Sequence, residues 1–132
     1  MILDSEFLLS LSKRDADAFE KSAELHDEGE EMKIPLPAVL EIYYGAYFTE
    51  SDEEMRKMNN LMLMYHFADA DAGTMEHGAE LVANADRNSP GNESDISNED
   101  AVIGAIAEEQ GDSVLTRNED DFQKLGVSHE SY

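Results

Sequence analysis

The sequence predicts an α/β fold in which helices cover a largely parallel sheet. Short apolar segments alternate with amphipathic helical segments along the chain, which is the order typical of this class. The 132 residues suit one domain over 1–132, and 41% of them are hydrophobic, enough for a core. There is no cysteine, which excludes disulfides, thiol nucleophiles and cysteine-ligated zinc.

The first half of the chain contains two predicted strands and four predicted helices. Apolar runs before Asp4 and around Ile34 read as strands, and Pro35 places the second at a strand end or sheet edge, because proline is confined to those positions. Gly29 ends one helix, and Ser51 and Glu54 have the spacing of a capping box that opens another. We predict strands over 1–3 and 32–36, and helices from Asp4, over 13–28, over 38–48 and from Ser51.

The second half continues the alternation on both sides of a loop over 87–98 that is rich in Asn, Pro, Gly and Ser. We predict helices over 71–85 and 99–109, a strand over 113–116, a helical turn over 120–125 and a short strand from Gly126. Ligands of such parallel sheets sit beyond the carboxyl ends of the strands, so functional residues are expected there.

Acidic residues dominate the charge of the chain. Asp and Glu number 31 and Lys and Arg number 9, for a net charge of −22. An acidic tail does not explain this, because the acids are spread from Asp4 to Glu130. A nucleic-acid mimic and a halophilic surface remain, and we favour the second, because molar salt screens the self-repulsion.

Four carboxylates stand where a solvated acid is not expected. Asp4 ends an apolar strand, Glu41 interrupts an apolar helix, Asp100 opens the run AVIGAIA, and Asp121 precedes Phe122. Burying carboxylates costs several kcal/mol unless they are paired or bind a metal. Oxygen ligands of this kind suit Mg²⁺ or Mn²⁺.

Each acid also has an ordinary structural interpretation. Asp4 suits a helix cap, Asp100 suits the first turn of a helix, and Glu41 suits a solvent-exposed face of its helix beside Tyr44. Asp120 and Asp121 both suit capping positions on a surface turn, so either is a candidate for the fourth acid.

The order of the motifs is more specific than any single acid. MILDSEFLLSL, PAVLEIYYGAY, NEDAVIGAIA and TRNEDDF occur in that order and at characteristic separations. Together they resemble the PIN-domain ribonucleases, most closely the VapC toxins of VapBC toxin–antitoxin systems, here with a composition that points to a halophilic archaeon. The resemblance implies a three-layer fold with four or five parallel strands.

The resemblance also implies roles for these residues. Asp4, Glu41, Asp100 and Asp121 would form the catalytic acid set, with Asp4 and Asp100 binding Mg²⁺ or Mn²⁺ for RNA hydrolysis. Ser5, Thr116 and Asn118 would support the site. A VapB-like antitoxin, an RNA substrate and a second copy of the chain would be its partners, in the cytoplasm and away from membranes.

Two departures from the family pattern stand out. Glu6 replaces an amide of the usual opening, and the loop before Asp100 contains Gly91 without a following basic residue. Only Arg117, Lys13 and Arg14 lie near the proposed site segments to contact RNA. The alternative functions are a PIN nuclease in RNA maturation and a non-catalytic acidic adaptor.

The apolar run 61–65 suits either core packing or a homodimer contact.

Overall fold

A computed structural model describes all 132 residues and contains a five-stranded sheet. All strand pairs are parallel, and the spatial order is β3-β2-β1-β4-β5. The strands are short: β1 (Ile2–Leu3), β2 (Lys33–Pro35), β3 (His66–Ala68), β4 (Val114–Leu115) and β5 (His129–Glu130). The predicted α/β class with a central parallel sheet is therefore confirmed.

Seven α-helices connect and cover the strands. They are α1 (Ser5–Ser12), α2 (Ala16–Asp27), α3 (Leu36–Thr49), α4 (Asp52–Met64), α5 (Ala72–Arg87), α6 (Asn98–Glu109) and α7 (Glu119–Leu125). A single 3-10 turn at Pro90–Asn92 lies in the loop before α6. No helix is both long and apolar enough to cross a bilayer.

The sheet separates two hydrophobic clusters, because successive side chains of each strand point to opposite faces. Leu3, Ile34 and Leu115 face the cluster formed with helices α1 to α4. Ile2 and Val114 face the cluster formed with α5, α6 and α7. The resulting three layers bury both faces of the sheet, as all-parallel sheets require.

Three elements differ from the sequence-based prediction. The helix expected from Lys13 starts at Ala16, because Arg14 has a φ of 59° and Asp15 caps α2 by accepting from the Ala18 N–H. Strand β3 was not predicted, and the last strand begins at His129 rather than at Gly126. Gly126 instead ends α7 with a φ of 75°, a conformation that glycine adopts without strain.

The strand order creates one switch point, between β1 and β4. From β1 the chain proceeds outward to β2 and β3, whereas from β4 it proceeds outward on the other side to β5. The connections leaving these two central strands therefore diverge, and a crevice opens at their carboxyl ends. Asp4 follows β1 and Thr116 follows β4, so both lie at this crevice.

Candidate active site

Asp4 is buried at the switch point and caps helix α1. Its side chain is 5% exposed, and its Oδ1 accepts a 2.8 Å hydrogen bond from the Phe7 N–H. Burial raises the pKa of Asp4, and the Thr116 hydroxyl and the Phe7 N–H oppose that rise. The negative charges of Glu6 and Glu41 raise the pKa further. Asp4 is thus both a structural cap and an acid within a negative environment.

The segment after β4 positions the acid of helix α7. Thr116 is fully buried, and its Oγ1 accepts a 2.8 Å hydrogen bond from the Asn118 N–H. The Asn118 side-chain amide donates to Oδ2 of Asp121 at 2.6 Å. Asp120, the other candidate for the fourth position, is exposed. The contacts therefore orient Asp121 and not its neighbour.

Helix α6 brings two adjacent acids to the same place. Ser97 is the N-cap and accepts from the Asp100 N–H at 3.1 Å, which fixes the first turn. Glu99 Oε1 accepts a 2.8 Å hydrogen bond from the Ser5 hydroxyl, which links α6 to α1. Ser5 is itself buried, so this bond fixes Glu99 beside the N-terminus of α1.

The pKa values of the two α6 acids show that five carboxylates influence one another. Burial and the charges of Asp4, Asp121 and Glu41 raise the pKa of Asp100 to about 6. Burial and Glu41 raise the pKa of Glu99 to about 7, with a smaller contribution from Asp100. No lysine or arginine forms an ion pair with any of the five acids, so the cluster has no basic side chain to balance its negative charge.

Helix N-termini offset part of this repulsion. Asp4 caps α1, while Asp100 and Asp121 lie in the first turns of α6 and α7. The partial positive charge of each N-terminus favours a carboxylate by roughly 0.3–1 kcal/mol. Glu41, in the middle of α3, has no such support.

The chain matches the PIN-domain family model over residues 1–127. The chain belongs to the PIN-domain family. No curated protein matches the sequence.

Solved structures of similar fold cover almost the whole PIN domain. A structure titled VapBC2 from Rickettsia felis bound to a promoter DNA fragment has a TM-score of 0.80 at 18% identity, covering 99% of this chain and 97% of that chain. VapBC-1 from nontypeable Haemophilus influenzae has a TM-score of 0.78 at 16% identity, covering 98% of this chain and 96% of that chain. DNA-bound VapBC from Salmonella typhimurium has a TM-score of 0.77 at 20% identity, covering 98% of this chain and 96% of that chain. At these identities the likeness shows the shared fold.

The side chains of this PIN domain are not gathered around one point. No group of three or more His, Asp or Glu residues is close enough to hold a single metal ion. The acids interact through their charges from four different helices: Asp4, Glu99, Asp100 and Asp121 from the N-termini of α1, α6 and α7, and Glu41 from the middle of α3. The donor chemistry, carboxylate oxygens without a cationic partner, nevertheless suits Mg²⁺ or Mn²⁺.

Every predicted site residue lies at this end of the sheet or on the helices beside it. Asp4, Ser5, Thr116 and Asn118 occupy the crevice, and the charges of Glu41, Asp100 and Asp121 reach it. Sequence analysis did not identify Glu99, which accepts from Ser5. In the sequence it reads as one of two ordinary acids in a helix first turn, and no period or spacing marks it.

The basic residue nearest the site is already paired. Arg117 forms ion pairs with Asp15 at 2.9 Å and Asp17 at 3.7 Å, and its guanidinium lies 4.4 Å from the centre of the Tyr132 ring. Its expected role as an RNA contact therefore finds no support in its surroundings.

An open apolar cleft of about 780 Å³ adjoins the acids. Its lining is mostly apolar and also includes Glu41 and Glu99. The apolar lining includes Leu36, Leu40, Tyr44, Met75 and Val102. Leu36, Leu40, Tyr44 and Met75 are exposed, so this face of the PIN domain presents apolar side chains to solvent.

Proposed function

We propose that this PIN domain is a metal-dependent endoribonuclease that acts as the toxin of a type II toxin–antitoxin system. The observation that carries the proposal is the set of mutually repelling acids at the switch point of a PIN fold. Neighbouring negative charges raise the pKa of an acid by destabilising its carboxylate form, and a cation bound among them stabilises that form. The named VapBC structures of similar fold support the toxin assignment.

In this proposal Asp4 and Asp100 hold Mg²⁺ or Mn²⁺, because they are the most buried acids of the cluster. When bound, the ion supplies positive charge that offsets the phosphate oxygens and makes water more acidic. The Phe7 N–H, which donates to Oδ1, and the Thr116 hydroxyl orient the Asp4 carboxyl for this task.

The other acids orient water around the scissile phosphate. Asp121 is held by the Asn118 amide, so its carboxylate presents a fixed direction to the crevice. Glu41 approaches from α3, on the opposite side of the crevice to α7. Thr116 anchors the loop that carries Asn118, which makes it a positioning residue.

The decisive experiment is RNA cleavage by Asp4→Asn protein in Mn²⁺ or Mg²⁺. Loss of one charged ligand with little change in shape is expected to lower cleavage at least about 100-fold, because metal stabilisation of the transition state is worth several kcal/mol. Asp27→Asn, at an exposed acid of α2, is the matched control and should cleave like wild type.

Two results would contradict the nuclease proposal. One is wild-type cleavage by pure, folded Asp4→Asn protein. The other is a wild-type protein that cleaves no single-stranded RNA in either metal, which would favour a non-catalytic adaptor.

We propose a VapB-like antitoxin whose basic segment covers the acid crevice. The crevice has five interacting acids, and Arg117 nearby is already paired, so a partner entering it must supply Arg or Lys. Addition of the antitoxin should abolish cleavage, and Arg→Ala changes in its basic segment should restore it. An antitoxin that binds without affecting cleavage would oppose this placement.

We also propose a homodimer through the outer face of α3. Leu36, Leu40, Tyr44 and Phe48 recur every four residues there, and Leu40 is 77% exposed. Glu41 is the only charged residue of this helix, which suits a contact between two copies that each carry −22. In the earlier candidate run 61–65, Leu61 is buried in the core.

Sedimentation in molar KCl tests the dimer. Leu40→Glu should give monomers, whereas Leu63→Glu, at an 86% exposed residue of α4, should leave the dimer intact. Dissociation by Leu63→Glu alone would move the interface to α4.

A further inference from the structure

Tyr132, the last residue of the sequence, packs beside the element that carries Asp4. Its ring contacts the Phe7 ring edge to face, with centroids 4.9 Å apart at 80°. Nearby, the Lys21 ammonium bonds Glu130 of β5 at 2.6 Å and ties this edge of the sheet to α2. The segment after β5 therefore crosses toward the α1 and α2 side of the sheet.

Arg117 lies on the other side of the Tyr132 ring. The guanidinium is 4.4 Å from the ring centre, a cation–π distance, and donates to Asp15 Oδ1 at 2.9 Å. Asp15 is the N-cap of α2, so the arginine joins the loop after β4 to the start of α2. Phe7, Tyr132, Arg117 and Asp15 form a continuous stack, which we call the clasp.

Two members of the clasp, Phe7 and Arg117, adjoin the acid site through their backbone. The Phe7 N–H donates to Asp4 Oδ1 at 2.8 Å. Arg117 is flanked by Thr116 and Asn118, whose mutual hydrogen bond of 2.8 Å shapes the loop that holds Asp121. None of the clasp side chains is one of the site acids.

We propose that Tyr132 and Arg117 are positioning residues for the acid site. The clasp fixes the N-terminus of α1 and the 116–118 loop relative to each other, and so sets the spacing between Asp4 and Asp121. The catalytic consequence rests on the proposed nuclease function; the geometric consequence does not.

The ring of Tyr132 makes the clasp contacts, edge to face with Phe7 and at a cation–π distance with Arg117. Tyr132→Phe keeps the ring and both contacts, whereas Tyr132→Leu removes both aromatic contacts.

Residue-resolved hydrogen exchange of the 132-residue chain, measured without metal, tests the geometry. Tyr132→Leu should accelerate exchange of the Phe7 and Asn118 amides about tenfold and leave the amides of α5 unchanged. Tyr132→Phe should restore wild-type rates. Tyr47→Leu, at an exposed tyrosine of α3, is the matched control and should change neither amide.

Kinetics separates positioning from RNA contact. Tyr132→Leu and Arg117→Gln should each lower kcat about tenfold with little change in KM. A higher KM at unchanged kcat for Arg117→Gln would make the arginine an RNA contact and overturn the proposal. Equal acceleration of exchange in all helices, or none at the two amides, would also overturn it. If wild type cleaves no RNA, the nuclease proposal fails while the exchange result still decides the clasp.

Discussion

Asp4 shows how one side chain serves both the fold and the proposed chemistry. Its Oδ1 satisfies an N–H that the first turn of α1 would otherwise leave without a partner. Burial and the charges of Glu6 and Glu41 raise the pKa of the same carboxyl. A substitution that keeps the cap, such as asparagine, isolates the charge from the structural role.

Glu99 provides a prediction about pH. Its pKa is raised from 4.5 to about 7, so the folded state binds this proton more tightly than the unfolded state does. The group's contribution to the free energy of unfolding therefore falls as pH rises from about 4.5 to about 7 and is constant above that. In EDTA, Glu99→Gln should have a higher Tm than wild type at about pH 8, and the difference should shrink toward about pH 5.

Glu80→Gln, at an exposed acid of α5, is the control for this measurement. A Glu99→Gln protein whose Tm difference from wild type does not change with pH would show that Glu99 titrates normally.

At the scale of elements, the N-termini of α1, α6 and α7 carry acids to the switch point, and close packing holds the last two helices in place. Gly104 of α6 lies against α7 and the segment after it: a Cβ built there would be 3.1 Å from Val127 Cγ2 and 3.6 Å from Leu125 Cδ1. Val127 is buried and branched at Cβ, so it has little room to move aside.

Two glycine-to-alanine changes test this packing. Gly45→Ala in α3, where nothing lies within 4 Å of the new Cβ, should raise the free energy of unfolding by about 1 kcal/mol through helix propensity. Gly104→Ala has the same propensity gain, yet overpacking against Val127 should make it destabilising by about 1 kcal/mol. Urea unfolding measures both, and a Gly104→Ala protein as stable as Gly45→Ala would contradict the close contact.

Sequence patterns predicted the elements whose signals are local. The apolar β1 followed by Asp4, the Ser51 cap of α4 and the Gly29 stop after α2 all depend on neighbours in the chain. Strand β3 was missed because His66 and Phe67 are exposed and only Ala68 is buried, which leaves no alternation to detect. The Ser5–Glu99 bond joins residues 94 apart, and no local pattern encodes it.

For the molecule as a whole, the charge is spread rather than concentrated. Every helix contains at least one acid, from Glu6 in α1 to Asp121 in α7. Three of the basic residues, Lys21, Lys57 and Arg117, each pair with two acids, and the other Lys and Arg side chains form no ion pair. Most of the 31 acids therefore have no basic partner, and salt must supply the screening.

A KCl series tests the interpretation of this surface as halophilic. Between about 0.1 M and 1 M salt the screening length shortens from roughly 10 Å to 3 Å, so the Tm should rise over this range. The rise from screening should level off near molar salt. A Tm that is flat or falls with KCl would remove the halophilic interpretation.

The strand order also determines when the acid site first exists during synthesis. Asp4 leaves the ribosome early, yet its neighbour strand β4 and the acids of α6 and α7 are made roughly a hundred residues later. Until then the centre of the sheet has an open edge and Asp4 has no partner acids from those helices. Under the proposed function, a chain built in this order would not cleave the RNA being translated until its last strands are in place.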